Sequence, residues 1–197
     1  MTKSYSYREV TELISKLIKE SEKYSSLSNT QLLTKPDPTS WCVGEIFEHI
    51  VMFNEIYLKM IRSAFDLDHL PTYNNDQFTP RFTIRPLINF IKPPYRVKIK
   101  TIAPMSPVDI DSDQYHQQFD QLLITNRDLL TLISEFEQKK LDLNKIKVRN
   151  KVFFIKMSLI EYILMFEAHQ SRHLWQTEQT LRKLKSVTEQ PSNRVTE

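Results

Sequence analysis

Glycine is almost missing from this chain. Average usage of about 7% would give roughly 14 glycines at this length, yet the 197 residues contain only Gly44. Tight hairpins and phosphate-cradling loops lean on glycine, so its scarcity argues against a Rossmann or P-loop site and favours long helices. Cysteine is equally scarce: Cys42 stands alone, which rules out an internal disulfide framework and fits a reducing compartment. The opening MTKSYSYREV has no apolar stretch of the signal-peptide kind, and the richest apolar run is broken by Lys156 and Glu161. Neither a signal peptide nor a membrane span is expected, and the chain reads as cytoplasmic. Charge of one sign is lacking too. A net charge of +3 with acids and bases interspersed gives no case for a nucleic-acid partner.

What is present is ordinary for a globular protein. At 40% hydrophobic and 26% charged residues, the whole of 1–197 is expected to form a single domain with a sizeable core. Apolar spacing predicts four helices. Ser6 with Glu9 makes a capping box before Val10, Leu13, Ile14, Leu17, Ile18 and Tyr24. Pro36 and Pro38 break the chain, and Ser40 is placed to cap a second helix striped by Val43, Ile46, Phe47, Ile50, Phe53, Tyr57 and Ile61. A third follows Asp111, carrying Tyr115, Phe119, Leu122, Leu129, Ile133 and Phe136. Ser158 with Glu161 caps a fourth that runs to about Leu184.

Between the second and third helices, residues 67–111 hold seven of the ten prolines and read as a long crossover loop rather than a regular helix. Its one strand-like piece is YRVKIKTI, without an obvious partner. A loop of this length is more often functional than idle. The tail 186–197 is expected to fray. The expected fold is therefore all-α, a four-helix bundle with one long proline-rich crossover.

Within FEAHQSRHLWQ, His169 and His173 stand four residues apart on the predicted fourth helix. They fall on the stripe Leu159, Tyr162, Phe166, His169, His173, Gln176, Thr180 and Leu184, whose apolar ends place its polar middle inside. His49, three past Ile46 and four before Phe53, lies on the inward edge of the second helix. Asn126 interrupts the third helix's stripe and is a candidate neighbour of the same cavity. A single buried imidazole is usually a satisfied core residue. Two at i and i+4 with a third on a facing helix instead match a metal site with positions left open for water or substrate. Zinc, nickel, iron and copper all suit such a set. A metal there would make a nucleophile from water or a thiol at neutral pH, with Gln176 or Asn126 orienting a bound water or leaving group.

The strings KPDPTSWCVGEIFEHI and SLIEYILMFEAHQSRHLWQ closely resemble the DinB-like superfamily, which includes YfiT-type metal-dependent enzymes. The shared pattern is a Trp-initiated helix carrying one histidine, followed by H-x-x-x-H-x-x-Q on the last helix. KPPYRVKIKTIAPMSP resembles the family's inter-helix insert, whereas VRNKVFFIKMS departs from relatives that often have a glycine-containing turn there. The resemblance implies a four-helix bundle binding a divalent metal, often nickel or zinc, on three histidines that map onto His49, His169 and His173. It also implies, for some members, transfer of low-molecular-weight thiols such as bacillithiol. The partners expected are thus a small-molecule thiol and an electrophilic substrate, with a homodimer left open.

Other residues carry plainer readings. Trp41 is expected to pack at the start of the second helix and Trp175 on the flank of the fourth, Cys42 to be a small buried hydrophobe, and His69 and His116 to be exposed. Glu45, one turn before His49, is either an orienting partner or an exposed carboxylate. Arg81, Arg85, Lys92, Arg96, Lys98 and Lys100 read first as a solvated basic loop and second as a receptor for an acidic thiol. Three functions stay open: a metal-dependent thiol transferase, a metal-dependent hydrolase, and a non-catalytic metal-binding bundle.

Overall fold

A computed structural model of the chain describes residues 3–67, 69–94, 106–107, 112–149 and 155–188. These residues are mostly helical, as α1 (Tyr7–Glu22), α2 (Asn29–Leu33), α3 (Val43–Arg62), α4 (Arg85–Ile91), α5 (Ser112–Gln138) and α6 (Leu159–Thr188), with a 3-10 turn at Ser63–Asp66. The only sheet among them is an antiparallel pair, β1 (Lys147–Arg149) and β2 (Lys156–Ser158), in which Val148 opposes Met157. No helix among the described residues is long and apolar enough to cross a membrane.

Local chemistry explains where the helices begin. At α1 the Ser6 backbone N–H donates to Glu9 Oε2 at 2.9 Å while the Glu9 N–H donates to Ser6 Oγ at 3.2 Å. The same reciprocal pair of Ser28 and Gln31 starts the short α2, which the apolar spacing did not disclose. Ser40 does not cap α3: its hydroxyl donates to Asp37 Oδ2 at 2.7 Å within the preceding turn. The helix instead starts after Cys42, whose N–H donates to Glu45 Oε2 at 2.8 Å. At α6 the Ser158 N–H donates to Glu161 Oε2 at 2.9 Å. The far end of α5 turns through Lys140 at φ 51°, with the Leu141 N–H reaching back to the Phe136 carbonyl at 2.9 Å. Glycine is the usual occupant of that left-handed position, and a β-carbon there costs about 1 kcal/mol.

Side-chain pairs give the directions of the long helices. Asn54 with Thr125 and Arg62 with Asp128 advance together along α3 and α5, so these two run parallel. Phe53 with His169 and Tyr57 with Tyr162 run in opposite order, so α3 and α6 are antiparallel. Ser21 with Gln170 and Tyr24 with Leu174 make α1 parallel to α6. Both α1 and α3 pack against α5 and α6. Parallel neighbours cannot be joined by a short turn, because the chain must travel back a full helix length of about 30 Å. The segment between α3 and α5 makes that return.

That segment is more structured than a loop. Tyr5 bridges Phe78, Thr72 bridges Leu141, and the Asp142 N–H donates to the Pro71 carbonyl at 2.8 Å. Arg81 lies on the start of α6, giving Glu161 hydrogen bonds from its backbone N–H at 2.9 Å, Nε at 2.8 Å and Nη2 at 2.7 Å. Next comes α4, with Pro86 in its first turn, where proline's missing N–H removes no helical hydrogen bond. The expected strand YRVKIKTI and Pro104 fall within residues 95–105, which lie outside the described residues. So do 150–154 of VRNKVFFIKMS and the tail 189–197, while Ser186 to Thr188 continue α6.

One polar layer crosses the core. Asn54 Nδ2 donates to Thr125 Oγ1 and to Gln170 Oε1, each at 3.1 Å, and Gln170 Nε2 donates to Ser21 Oγ at 3.2 Å. Each long helix contributes one of these side chains, and all four are buried.

Candidate metal centre

The histidines adjoin this layer: His169 directly precedes Gln170, His173 follows it by three residues, and His49 lies five before Asn54. His49 on α3 is 5% exposed, and His169 and His173 on α6 are 8% and 7% exposed, so the inward placement read from their stripes is the one they occupy. Ring centroids are 5.2 Å apart for His49 and His169, 4.6 Å for His49 and His173, and 4.5 Å for His169 and His173. One nitrogen from each ring can be chosen so that the three lie within 4.8 Å of one another. Three nitrogens at zinc distance, about 2.0–2.1 Å, would sit roughly 3.4 Å apart in a tetrahedral site. Small ring rotations would therefore close the set around one ion.

The surroundings leave ligating nitrogens available. Gln176 Oε1 lies 2.9 Å from His173 Nδ1. An amide oxygen only accepts, so Nδ1 carries the proton and Nε2 keeps its lone pair. His169 Nδ1 is buried without a hydrogen-bond partner among the described residues, an arrangement that costs stability unless something occupies it. Phe53 stacks on His169 with centroids 3.5 Å apart and planes at 15°, and Tyr57 stacks on Phe53 at 4.2 Å, closing the inner side. Half-buried Trp41 stands on another side, 5.1 Å from His49 and 6.3 Å from His173.

Electrostatics keep the imidazoles neutral. Burial, then the neighbouring His49, push His173 down to about 3; its hydrogen bond to Gln176 opposes them, and Arg172 adds the smallest of the lowering effects. Burial followed by His173, His49 and Arg172 takes His169 well below the usual imidazole value. Neutral imidazole is the form that binds metal, so neither ring must lose a proton near pH 7. The donor set, its closeness and the unspent His169 nitrogen together fit a divalent transition metal.

Other candidate residues fall in different places. Gln176 joins the site through His173. Asn126 on α5 is fully buried, and neither end of its amide finds a partner among the described residues; no contact brings it to the imidazoles. Glu45 is neither exposed nor bonded to His49. It is 4% exposed and holds Lys35 Nζ at 2.8 Å as well as the Cys42 N–H. Cys42 is buried, and burial raises its thiol. His69 and His116 are exposed. Of the basic loop, Arg81 is engaged by Glu161 and Lys92 by Glu167 at 3.0 Å, while Arg96, Lys98 and Lys100 lie outside the described residues.

Sequence reasoning passed over Arg172, which is 7% exposed beside His173. A single step along a helix turns the side chain by about 100°, so the stripe reading left it on a flank. The usable signal was an arginine inside H-Q-S-R-H on a helix otherwise apolar on several faces.

Comparison with known proteins agrees with this geometry. The sequence model of the DinB superfamily matches residues 22–177, a span that contains all three histidines and Gln176. No curated protein and no solved structure matches the chain.

Proposed function

The chain belongs to the DinB superfamily, and from that premise we propose that it is a metal-dependent enzyme of the thiol S-transferase type, built as a single four-helix bundle domain whose crossover 67–111 helps to shape the substrate pocket. The observation that carries the metal reading is the buried trio His49, His169 and His173, with nitrogens within 4.8 Å. Zinc or nickel would be held by the three imidazoles, leaving positions for an exogenous ligand. Such an ion supplies Lewis acidity that stabilises a thiolate at neutral pH.

The chain's own residues then have distinct tasks. His173, with its tautomer set by Gln176, and His169, with its unspent nitrogen, supply donors from one helix, and His49 supplies the third from the facing helix. Phe53 and Tyr57 keep water from the inner side, which strengthens electrostatic interactions in the site. Trp41 offers an apolar wall to an electrophilic substrate. Gln176 is half-buried and close enough to orient a leaving group, and Asn126 could do so only by a change of side-chain position. A cytoplasmic setting fits chemistry that uses a free thiol.

Hydrolysis is the second reading. The same donors permit it, but no described carboxylate stands free beside the trio to act as general base.

The test is metal analysis followed by a thiol screen. Protein purified without chelator should carry about one transition metal per chain, and His169→Ala with His173→Ala should abolish it. Metal-loaded protein is then assayed for conjugating a chlorinated nitroaromatic with bacillithiol, coenzyme A, cysteine and glutathione, against His49→Ala. A metal-dependent rate with one thiol supports transfer. Bound metal with no rate for any thiol replaces this reading with a non-catalytic bundle, and stoichiometric metal in the double variant removes the histidine site.

A further inference from the structure

Three cations share the outer face of the two-stranded sheet. Arg149 lies directly opposite Lys156 in the β1–β2 register. Lys147, two residues before Arg149, projects to the same face, and all three side chains are exposed while Val148 and Met157 turn inward. Side chains directly opposite across a strand pair have Cβ atoms about 5 Å apart, and like charges there repel. No carboxylate relieves them: none of the three side chains makes a hydrogen bond or ion pair among the described residues. Asp66, in the 3-10 turn that packs against β1, is not paired with any of them. The sequence concentrates the charge further. Residues 143–160 carry five bases and no acid, whereas the whole chain sets 27 bases against 24 acids.

Apolar side chains border these cations. Ile155, directly before Lys156, is 36% exposed. Phe82 is 75% exposed and follows Arg81, whose Nη2 donates to the Lys156 carbonyl at 2.6 Å. Repelling cations and a phenyl ring left in water both disfavour the unbound surface, and a single kind of partner relieves both: anionic headgroups meet the charges, and the acyl boundary beneath them takes the apolar groups. We propose that the outer face of the β1–β2 pair, with Ile155 and Phe82, is a docking surface for an anionic lipid bilayer. Duplex nucleic acid would meet the charges but leave the apolar side chains in water. No helix among the described residues is long and apolar enough to cross a membrane, so the contact is peripheral. The sheet leads into α6 at Leu159, ten residues before His169, a distance of about 15 Å along the helix; docking is therefore separate from the metal reading.

The test is cosedimentation of the full chain with vesicles, either of phosphatidylcholine alone or of equal parts phosphatidylcholine and phosphatidylglycerol, in about 0.1 M salt. Each base held at an anionic surface strengthens binding about fivefold, so three should favour the mixed vesicles on the order of a hundredfold. The combined change Lys147→Gln, Arg149→Gln and Lys156→Gln should abolish that preference. Its thermal melt should stay level or rise, because the like-charge pair is gone. Phe82→Ser should weaken binding to the mixed vesicles several-fold with the charge unaltered.

A wild type that binds the two kinds of vesicle alike overturns the proposal, and so does a triple variant that keeps the preference. Should the triple variant not fold, the single changes decide in its place: each should lose about fivefold, and no loss in any of them is refutation. Phe82→Ser binding as tightly as the wild type would remove the apolar part of the surface and with it the case for a bilayer. A fluorescent DNA duplex held more tightly than the mixed vesicles, and released by the triple variant, would give this face to nucleic acid instead.

Discussion

Acid should unfold the metal-free protein in a pH range where most globular proteins are insensitive. The perturbation is a fall from pH 7 to pH 5 in the presence of chelator. His169 and His173 are held neutral in the fold, the first well below its usual value and the second down to about 3. In the unfolded chain both take up protons near pH 6.5. Folded pKa values are thus depressed, and the unfolded state binds more protons below about 6.5, so stability falls as pH falls through that value. At pH 5 an imidazole kept neutral only by folding costs roughly 2 kcal/mol, against about 0.2 kcal/mol at pH 7, and the pair together should remove roughly 4 kcal/mol. That is a large part of a typical 5–15 kcal/mol.

The assay is urea denaturation at both pH values, followed by circular dichroism, with the denaturant slope checked for constancy. His169→Gln with His173→Gln serves as control, since glutamine does not titrate, and its stability should change by less than about 1 kcal/mol over the same interval. Glu161 does not confound the window. Burial alone would raise Glu161, but hydrogen bonds from Arg81 and Ser158 hold it below its usual value, so its contribution is lost only below about pH 4.5. Metal should offset part of the loss: an ion at a hundredfold excess over its Kd adds about 2.7 kcal/mol, and because His169 and His173 stay neutral in the fold at pH 5 they hold no proton there for it to displace. A wild-type loss under about 1 kcal/mol, or an equal loss in the control, would refute the claim that these imidazoles are buried and neutral.

Two further outcomes test the frame around the site. Arg81→Ala leaves the fully buried Glu161 carboxylate without its guanidinium and should destabilise by about 3 kcal/mol; Glu161→Gln in the same background should recover part of that loss in thermal melts, and no recovery would mean the pair is not what secures the crossover. Asn54→Leu leaves Gln170 Oε1 without its donor and should cost about 2 kcal/mol, a fall of roughly 4–8 °C in Tm. Adding Gln170→Leu should cost less than the sum of the two single changes, and strict additivity would show that the two amides do not act as a unit.

How much of this could be read beforehand varied with the length of the signal. The starts of α1 and α6 were legible because Ser6 with Glu9 and Ser158 with Glu161 stand directly before long apolar stripes. Ser40 misled because capping is a competition: Asp37 already takes its hydroxyl, leaving Cys42 and Glu45 to start α3. The short α2 and α4 escaped for different reasons. Ser28 with Gln31 has the capping spacing but only one buried residue behind it, Leu32, and Pro86 was read as a breaker when it sits in the one turn that tolerates it. The strands β1 and β2 are three residues each, too short for a period of two to register. Histidine placement was readable because four residues is nearly a full turn. Arg172 was not, because its burial depends on what covers a flank of α6, and a one-helix pattern does not contain that.

The two polar layers of this core differ in a way that bears on function. Asn54, Thr125, Gln170 and Ser21 bond from helix to helix, and apart from Asn54 Oδ1 their polar atoms are spent on holding the helices in register. Beside them, His169 and His173 make no side-chain hydrogen bond to another helix among the described residues: one ring bonds only Gln176 on its own helix, and the other leaves Nδ1 unpaired. A layer that served packing alone would be more stable with leucine at both positions, because burying a polar group without a partner costs about 1–3 kcal/mol. Imidazoles without bonds to the adjacent helices gain little for the apo fold. Their nitrogens converge with that of His49, and an ion joining α3 to α6 there would recover the stability they forgo.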